Sequence, residues 1–250
     1  MEGDYEYWNR YVNISRVLSR DSETRRLKLK ENAHFVFGGD AVDWGVGDLR
    51  FVSELVKLYE EYPGRVHIVL GNRDINKLRL LQELRPRHIE THPLKRLSQP
   101  YWTRRSGKTP YEQCSANDPD NVSTRLRWIL QFTMGAPKAF EYRREELSLM
   151  NEDQNISDTD VVKSFLKEIS RGGSLRKLLE FGKLGVIMGN TLFVHGGVHK
   201  VNYGWLPNSN DVRCTLCGVR ATKLKSYPFH TQAPTLVRGS NVSTSSSPRR

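Results

Sequence analysis

Four short stretches hold side chains suited to a metal ion and a phosphate: "MEG" at 1–3, "GGDAVDWG" at 38–45, "GNRD" at 71–74 and "VHGG" at 194–197. Asp40 and His195 are good ligands for Mn²⁺, Zn²⁺ or Fe, and the Asn72 amide adds a neutral oxygen. Glu2 offers another carboxylate. Gly38, Gly39, Gly71, Gly196 and Gly197 let the backbone turn sharply where a side chain would block an ion or a phosphate. Arg73 stays charged at any ordinary pH, so it can donate to a phosphoryl oxygen but cannot act as a general acid. Each residue alone has a plainer role. Asp40 suits a turn, Asn72 a helix cap, His195 a strand end, and Arg73 an ion pair with Asp74. It is the ordered set that points to a site.

These residues need a scaffold that brings distant segments together. "HFVFGGD" (34–40) and "RVHIVLGN" (65–72) read as buried strands, each closing on glycine. Between them Asp48 is placed to cap a helix running to about Tyr62, with Phe51, Val52, Leu55, Leu58 and Tyr59 on one face and Pro63-Gly64 as its stop. Strand, helix and strand within about forty residues predict a βαβ unit with parallel, adjacent strands. "GVIMGNTLFVHGG" (185–197) predicts a hairpin turning at Gly189-Asn190. Asp40, Asn72 and His195 then all lie at carboxyl ends of strands, where open α/β sheets gather their chemistry. An opening helix is expected from Asp4 to Leu18, a charged loop over 19–32, and a helix from Ile75 to about Leu84. Residues 85–182 read as a helical insertion, with loop over 86–121 and helices near 123–134, 138–150, 158–171 and 174–181. The fold class is therefore α/β.

"GDAVDWG", "GNRD" and "VHGG", in that order, resemble the calcineurin-like metallophosphoesterases, in the style of the serine/threonine phosphoprotein phosphatase and diadenosine tetraphosphatase branch. The resemblance spans residues 2 to about 205. It implies a layered α/β core, an incomplete β-sandwich flanked by helices. It also implies two divalent metal ions (Mn, Fe or Zn) and hydrolysis of a phosphate monoester, on a protein or a nucleotide, by a metal-bound hydroxide. In that scheme Asp40 bridges the two ions, Asn72 and His195 bind the second, and Asp43 braces the site from behind. Two cations about 3.5–4 Å apart do need one shared anionic oxygen. Glu2 falls where the family has a histidine ligand. Arg73 stands where the family has its acid histidine, with Asp74 as that residue's orienting carboxylate, so Arg73 becomes a phosphate contact. The strand-ending Asp of the first motif would lie before Met1. His199 and His230 lack the family's context for its last ligand. The chain thus reads as a family domain shortened at both ends, and the rival reading is a catalytically impaired relic or binding module of the same fold.

Of the net charge of +11, seven basic residues between Val212 and Arg250 have no acidic counterpart, which leaves +4 on the first 211 residues. That distribution suits a phosphorylated substrate and weighs against a nucleic-acid partner. The domain is expected over 1–211, and 212–250 is expected to be a disordered basic tail. The chain has no apolar run long enough to cross a membrane, and its acidic, aromatic start is unlike a signal peptide, so the expected compartment is the cytoplasm. Three cysteines do not make a disulfide framework, and the single "CTLC" at 214–217 lacks the second ligand pair that zinc needs.

Overall fold

The computed structural model describes residues 1–97, 120–152 and 155–198. Its elements run α1 (Tyr5–Ile14), β1 (Leu18–Arg20), β2 (Leu27–Leu29), β3 (Phe35–Phe37), α2 (Asp48–Glu61), β4 (Val66–Ile68), α3 (Asn72–Asn76), α4 (Leu80–Glu83) and α5 (Pro86–Thr91). After these come α6 (Val122–Trp128), α7 (Ala139–Asn151), α8 (Asp158–Ile169), α9 (Ser174–Phe181), β5 (Gly185–Met188) and β6 (Thr191–Val194). The described residues are mixed α/β, with their strands in three small sheets.

The βαβ unit forms as its apolar runs require. Strands β3 and β4 pair in parallel with Phe35 opposite Val66 and Phe37 opposite Ile68. Their inward side chains are all buried, and α2 lays Phe51, Val52, Leu55 and Leu58 against them. Beyond β4 the sheet gains one more extended segment. Val69 bridges Lys183 in parallel, and Leu70 N–H donates to Lys183 C=O at 2.9 Å. From there the chain enters the β5–β6 hairpin, which turns at Gly189-Asn190 as predicted. Ile187, Leu192 and Phe193 of this hairpin are exposed.

Several boundaries differ from the sequence expectations. Helix α1 stops at Ile14 instead of Leu18, because the Ser15 hydroxyl turns back to accept from Val17 N–H and Leu18 N–H. The expected loop at 19–32 contains the β1–β2 hairpin, which buries Leu18, Leu27 and Leu29 and keeps its charges outside. Asp48 does not cap α2 and is its first residue; the preceding Gly47 holds the cap position. The expected 75–84 helix begins three residues early, at Asn72, and passes through a 3₁₀ turn (Lys77–Arg79) into α4. The stretch expected as loop from 86 contains α5, which opens on Pro86.

Residues 122–181 supply four helices, and a π-helical turn at Ile129–Thr133 extends the first. Their apolar faces do not make a separate layer. Leu126, Phe140, Val161, Phe165 and Leu178 join the same core as Trp8 and Phe51. Trp128 packs in that core. Tyr101, Trp102, "RRSGK" (104–108), His199, "CTLC" and the tail 212–250 lie outside the described residues.

Candidate active site

The site is assembled at the carboxyl ends of β3 and β4. Strand β3 leads into Gly38-Gly39-Asp40, and β4 leads through Leu70 into Gly71 and α3. The two turns touch. A Cβ on Gly39, which sits at φ +94°, would lie 2.7 Å from both Gly71 N and His195 Nδ1, so only glycine fits there. A Cβ on Gly71 would collide with the Asp40 carboxylate.

Asp74 ties these turns together. One of its oxygens accepts from Asp40 N–H at 3.0 Å and Gly71 N–H at 2.8 Å, and the other accepts from Ala41 N–H at 2.7 Å. It is fully buried, and burial raises its pKa against the pull of these three donors. Asp74 thus braces the backbone under the site, and the ion pairs of Arg73 run elsewhere.

Asp40 and His195 meet. His195 Nδ1 is 2.8 Å from the Gly38 carbonyl, and Nε2 is 3.3 Å from Asp40 Oδ2. A carbonyl only accepts, so Nδ1 carries the proton and Nε2 presents a lone pair to the carboxylate in the neutral ring. Two Lewis bases facing each other need a proton or a cation between them. Two ligands about 2.1 Å from one ion stand roughly 3.0–3.4 Å apart between right-angled and tetrahedral geometry, and the observed 3.3 Å matches. Asn72 is the exposed first residue of α3, and its side-chain amide makes no hydrogen bond to another described residue. The next residue's N–H, that of Arg73, donates to Asp40 Oδ1 at 3.0 Å. One carboxylate, one imidazole and one free amide therefore share this edge.

Arg73 lies on the other side of Asp40. Its Nε is 2.9 Å from Glu2 Oε1 and 3.6 Å from Asp40 Oδ2, and its Nη1 is 3.4 Å from Asp43 Oδ2. Nη1 also reaches the Met134 carbonyl at 3.4 Å, and the guanidinium lies 5.5 Å from the centre of the Trp44 ring. Its Nη2 makes no hydrogen bond to a described residue. Glu2 is held by backbone: its N–H donates to Asp40 C=O at 3.1 Å, and its C=O accepts from Trp44 N–H at 2.7 Å. Asp43 has no exposed side-chain surface and takes Lys77 Nζ at 2.7 Å. Glu2, Asp40 and Asp43 stand at φ +48°, +56° and +102°, so all three carboxylates sit on left-handed backbone.

Among the described residues no group of three or more His, Cys, Asp or Glu side chains could hold a metal ion. His195 faces Asp40 on its outer side. On the inner side, between Glu2, Asp40 and Asp43, the guanidinium of Arg73 already supplies the positive charge. Sequence reasoning missed Lys77, which lies one helical turn after Arg73 on the same face. That i, i+4 pair of cations was the available signal. It also missed Trp44, which flanks the guanidinium.

A second polar network lies behind the site. Asp48 accepts from Asp43 N–H at 3.1 Å and pairs with Arg143 at 3.3 Å. Glu146, fully buried, accepts from Leu49 N–H at 3.0 Å and Arg50 N–H at 3.1 Å, which caps α2 from another helix. Burial, with Asp43 and Glu146 nearby, outweighs Arg143 and pushes the Asp48 carboxyl up to about 7.

No family model, no curated protein and no solved structure matches the chain.

Proposed function

We propose that the chain is a metal-dependent hydrolase of phosphate monoesters with a calcineurin-like core. The observation that carries this reading is the facing pair His195 Nε2 and Asp40 Oδ2, 3.3 Å apart, at the joined ends of two parallel strands. Asp40, Asn72 and His195 would hold one divalent cation. A cation there supplies Lewis-acid polarisation of the phosphoryl oxygens. The residues do the rest. Gly38 C=O fixes the His195 tautomer. Asp74 locks both turns, so the ligands are set before substrate arrives. Arg73 offers Nη2 to a phosphoryl oxygen, and Trp44 flanks its guanidinium.

Purified protein with Mn²⁺ is expected to hydrolyse an aryl phosphate, and Asp40→Asn is expected to remove at least about 100-fold of that rate, as loss of a principal electrostatic group does elsewhere. Absence of turnover with Mn²⁺, Fe²⁺ and Zn²⁺ would contradict the hydrolase reading. A second reading, a catalytically impaired relic or binding module of the same fold, is favoured by the carboxylates of Glu2, Asp40 and Asp43, which already pair with the Arg73 guanidinium. It predicts saturable binding of an aryl phosphate without turnover.

A further inference from the structure

Trp44 is 46% exposed, whereas Trp8 and Trp128 are buried. The loop that carries it is fixed on both sides. Ala41, Val42 and Asp43, just before it, are buried. Trp44 N–H donates to Glu2 C=O at 2.7 Å, and Asp43 N–H donates to Asp48 Oδ1 at 3.1 Å. A Cβ on Gly45 would lie 2.4 Å from Asp4 N, and one on Gly47 would lie 2.4 Å from Tyr5 Cβ. The N-terminal turn and α1 therefore close on the loop from the other side. A firmly held backbone thus carries a large apolar ring out of the core. Such a ring needs little further ordering on binding, which is what makes rigid aromatic residues effective at binding surfaces. The Arg73 guanidinium lies 5.5 Å from the ring centre. That contact sets the indole beside the phosphate donor and still leaves nearly half of the residue uncovered.

We infer that Trp44 is a specificity-determining residue that selects phosphate monoesters of an aromatic alcohol, a phosphotyrosine side chain among them. The inference rests on the reading above in which Arg73 takes the phosphoryl group. With the anion on Arg73 Nη2, a ring one bridging oxygen away from phosphorus falls beside the indole. The two rings then pack offset or edge to face, with centres about 4.5–7 Å apart. An alkyl ester such as phosphoserine brings no ring and leaves Trp44 in water. A nucleoside monophosphate sets a ribose between phosphorus and base, so its base is carried past an indole held this close to the guanidinium.

The test is calorimetric titration of the full-length chain, with Mn²⁺ present, by two anions that cannot be hydrolysed: benzylphosphonate and ethylphosphonate. Wild type is expected to bind the benzyl compound at least about 10-fold more tightly. Trp44→Phe is expected to keep most of that preference, and Trp44→Leu to reduce it to about 3-fold or less. Equal affinities in wild type overturn the inference whatever the variants do, and so does binding of neither anion. A Trp44→Leu protein that keeps the full preference also overturns it. Tighter binding of adenosine monophosphate than of benzylphosphonate, lost in Trp44→Leu, overturns the aryl-ester assignment in favour of a nucleobase. Turnover is read separately. A chain that shows the benzyl preference and hydrolyses nothing supports the inference and removes the hydrolase reading. In a chain that turns over, the ratio of kcat/KM for phosphotyrosine to that for phosphoserine is expected to fall at least about 5-fold in Trp44→Leu. Leaving-group reactivity is the same for both proteins and cancels, so an unchanged ratio overturns the inference.

Discussion

Individual residues set the spacing of this site, and glycine sets the closest of those distances. Gly39 sits at positive φ with Gly71 N and His195 Nδ1 against the place a Cβ would take. Gly39→Ala is therefore expected to destabilise the fold by about 1–3 kcal/mol and to push His195 off the Gly38 carbonyl. Chemical denaturation and the His195 imidazole ¹⁵N shifts would check both effects, and unchanged shifts would contradict the second. The motif residues were legible in the sequence because glycine, asparagine and aspartate at strand ends mean backbone turns and free polar atoms. The partner of Arg73 was not legible. Its neighbour Asp74 is the obvious counter-ion in one dimension. In three, that carboxylate turns to the N–H groups of residues 40, 41 and 71, and Arg73 reaches back across the chain to Glu2.

At the scale of elements, the helices after residue 121 hold the loop that carries Asp43. Glu146 of α7 caps α2, and Arg143 of α7 pairs with Asp48 at the start of α2. Glu146→Ala would leave the part-buried N–H groups of Leu49 and Arg50, and the buried Arg143, short of a partner. It is expected to cost about 3–5 kcal/mol, and a loss under 1 kcal/mol in a urea titration would contradict the role. The sequence predicted these helices closely from their 3.6-residue periodicity. It could not show that they share the core of the βαβ unit, since periodicity reveals an apolar face and not what covers it. The β1–β2 hairpin escaped notice for a related reason. Its strands are three residues long, and its buried leucines lie among charges that read as solvent-facing. On the opposite side, the β5–β6 hairpin presents His195 while Ile187, Leu192 and Phe193 are exposed. Its amides are expected to exchange hydrogen faster than those of β3 and β4, whose Phe35, Phe37, Val66 and Ile68 are buried. Equal protection would show that the hairpin is tied down more firmly than its contacts suggest.

For the whole molecule, the buried carboxylates make stability depend on pH. Asp48 is raised to about 7 in the folded state, whereas an unfolded aspartate titrates near about 3.9. Between those values the folded chain holds a proton that the unfolded chain has released. The contribution is therefore fully present below about pH 4, declines through the window, and is lost above about pH 7. Asp74 acts in the same direction. Glu54, which accepts from Tyr5, Trp8 and both Arg20 nitrogens, is lowered and acts in the opposite direction at the acid end. Asp48→Asn is expected to flatten the decline between pH 5 and 7, seen as a smaller loss of Tm than wild type shows over that interval. A wild-type slope retained in the variant would contradict the assignment. Among the described residues no helix is long and apolar enough to cross a membrane, in keeping with the hydropathy of the sequence. The α/β class was legible from the order of strand and helix signals. The way the β1–β2 and β3–β4 sheets share one core was not, because packing between segments that lie far apart in the chain leaves no local mark.

Metal binding by this chain depends most directly on the gap between His195 and Asp40. Crystals of the full chain soaked in Mn²⁺ and measured at the manganese edge are expected to show an anomalous peak about 2.0–2.2 Å from both His195 Nε2 and Asp40 Oδ2. A map without density there, with the imidazole bonded directly to the carboxylate, would contradict it.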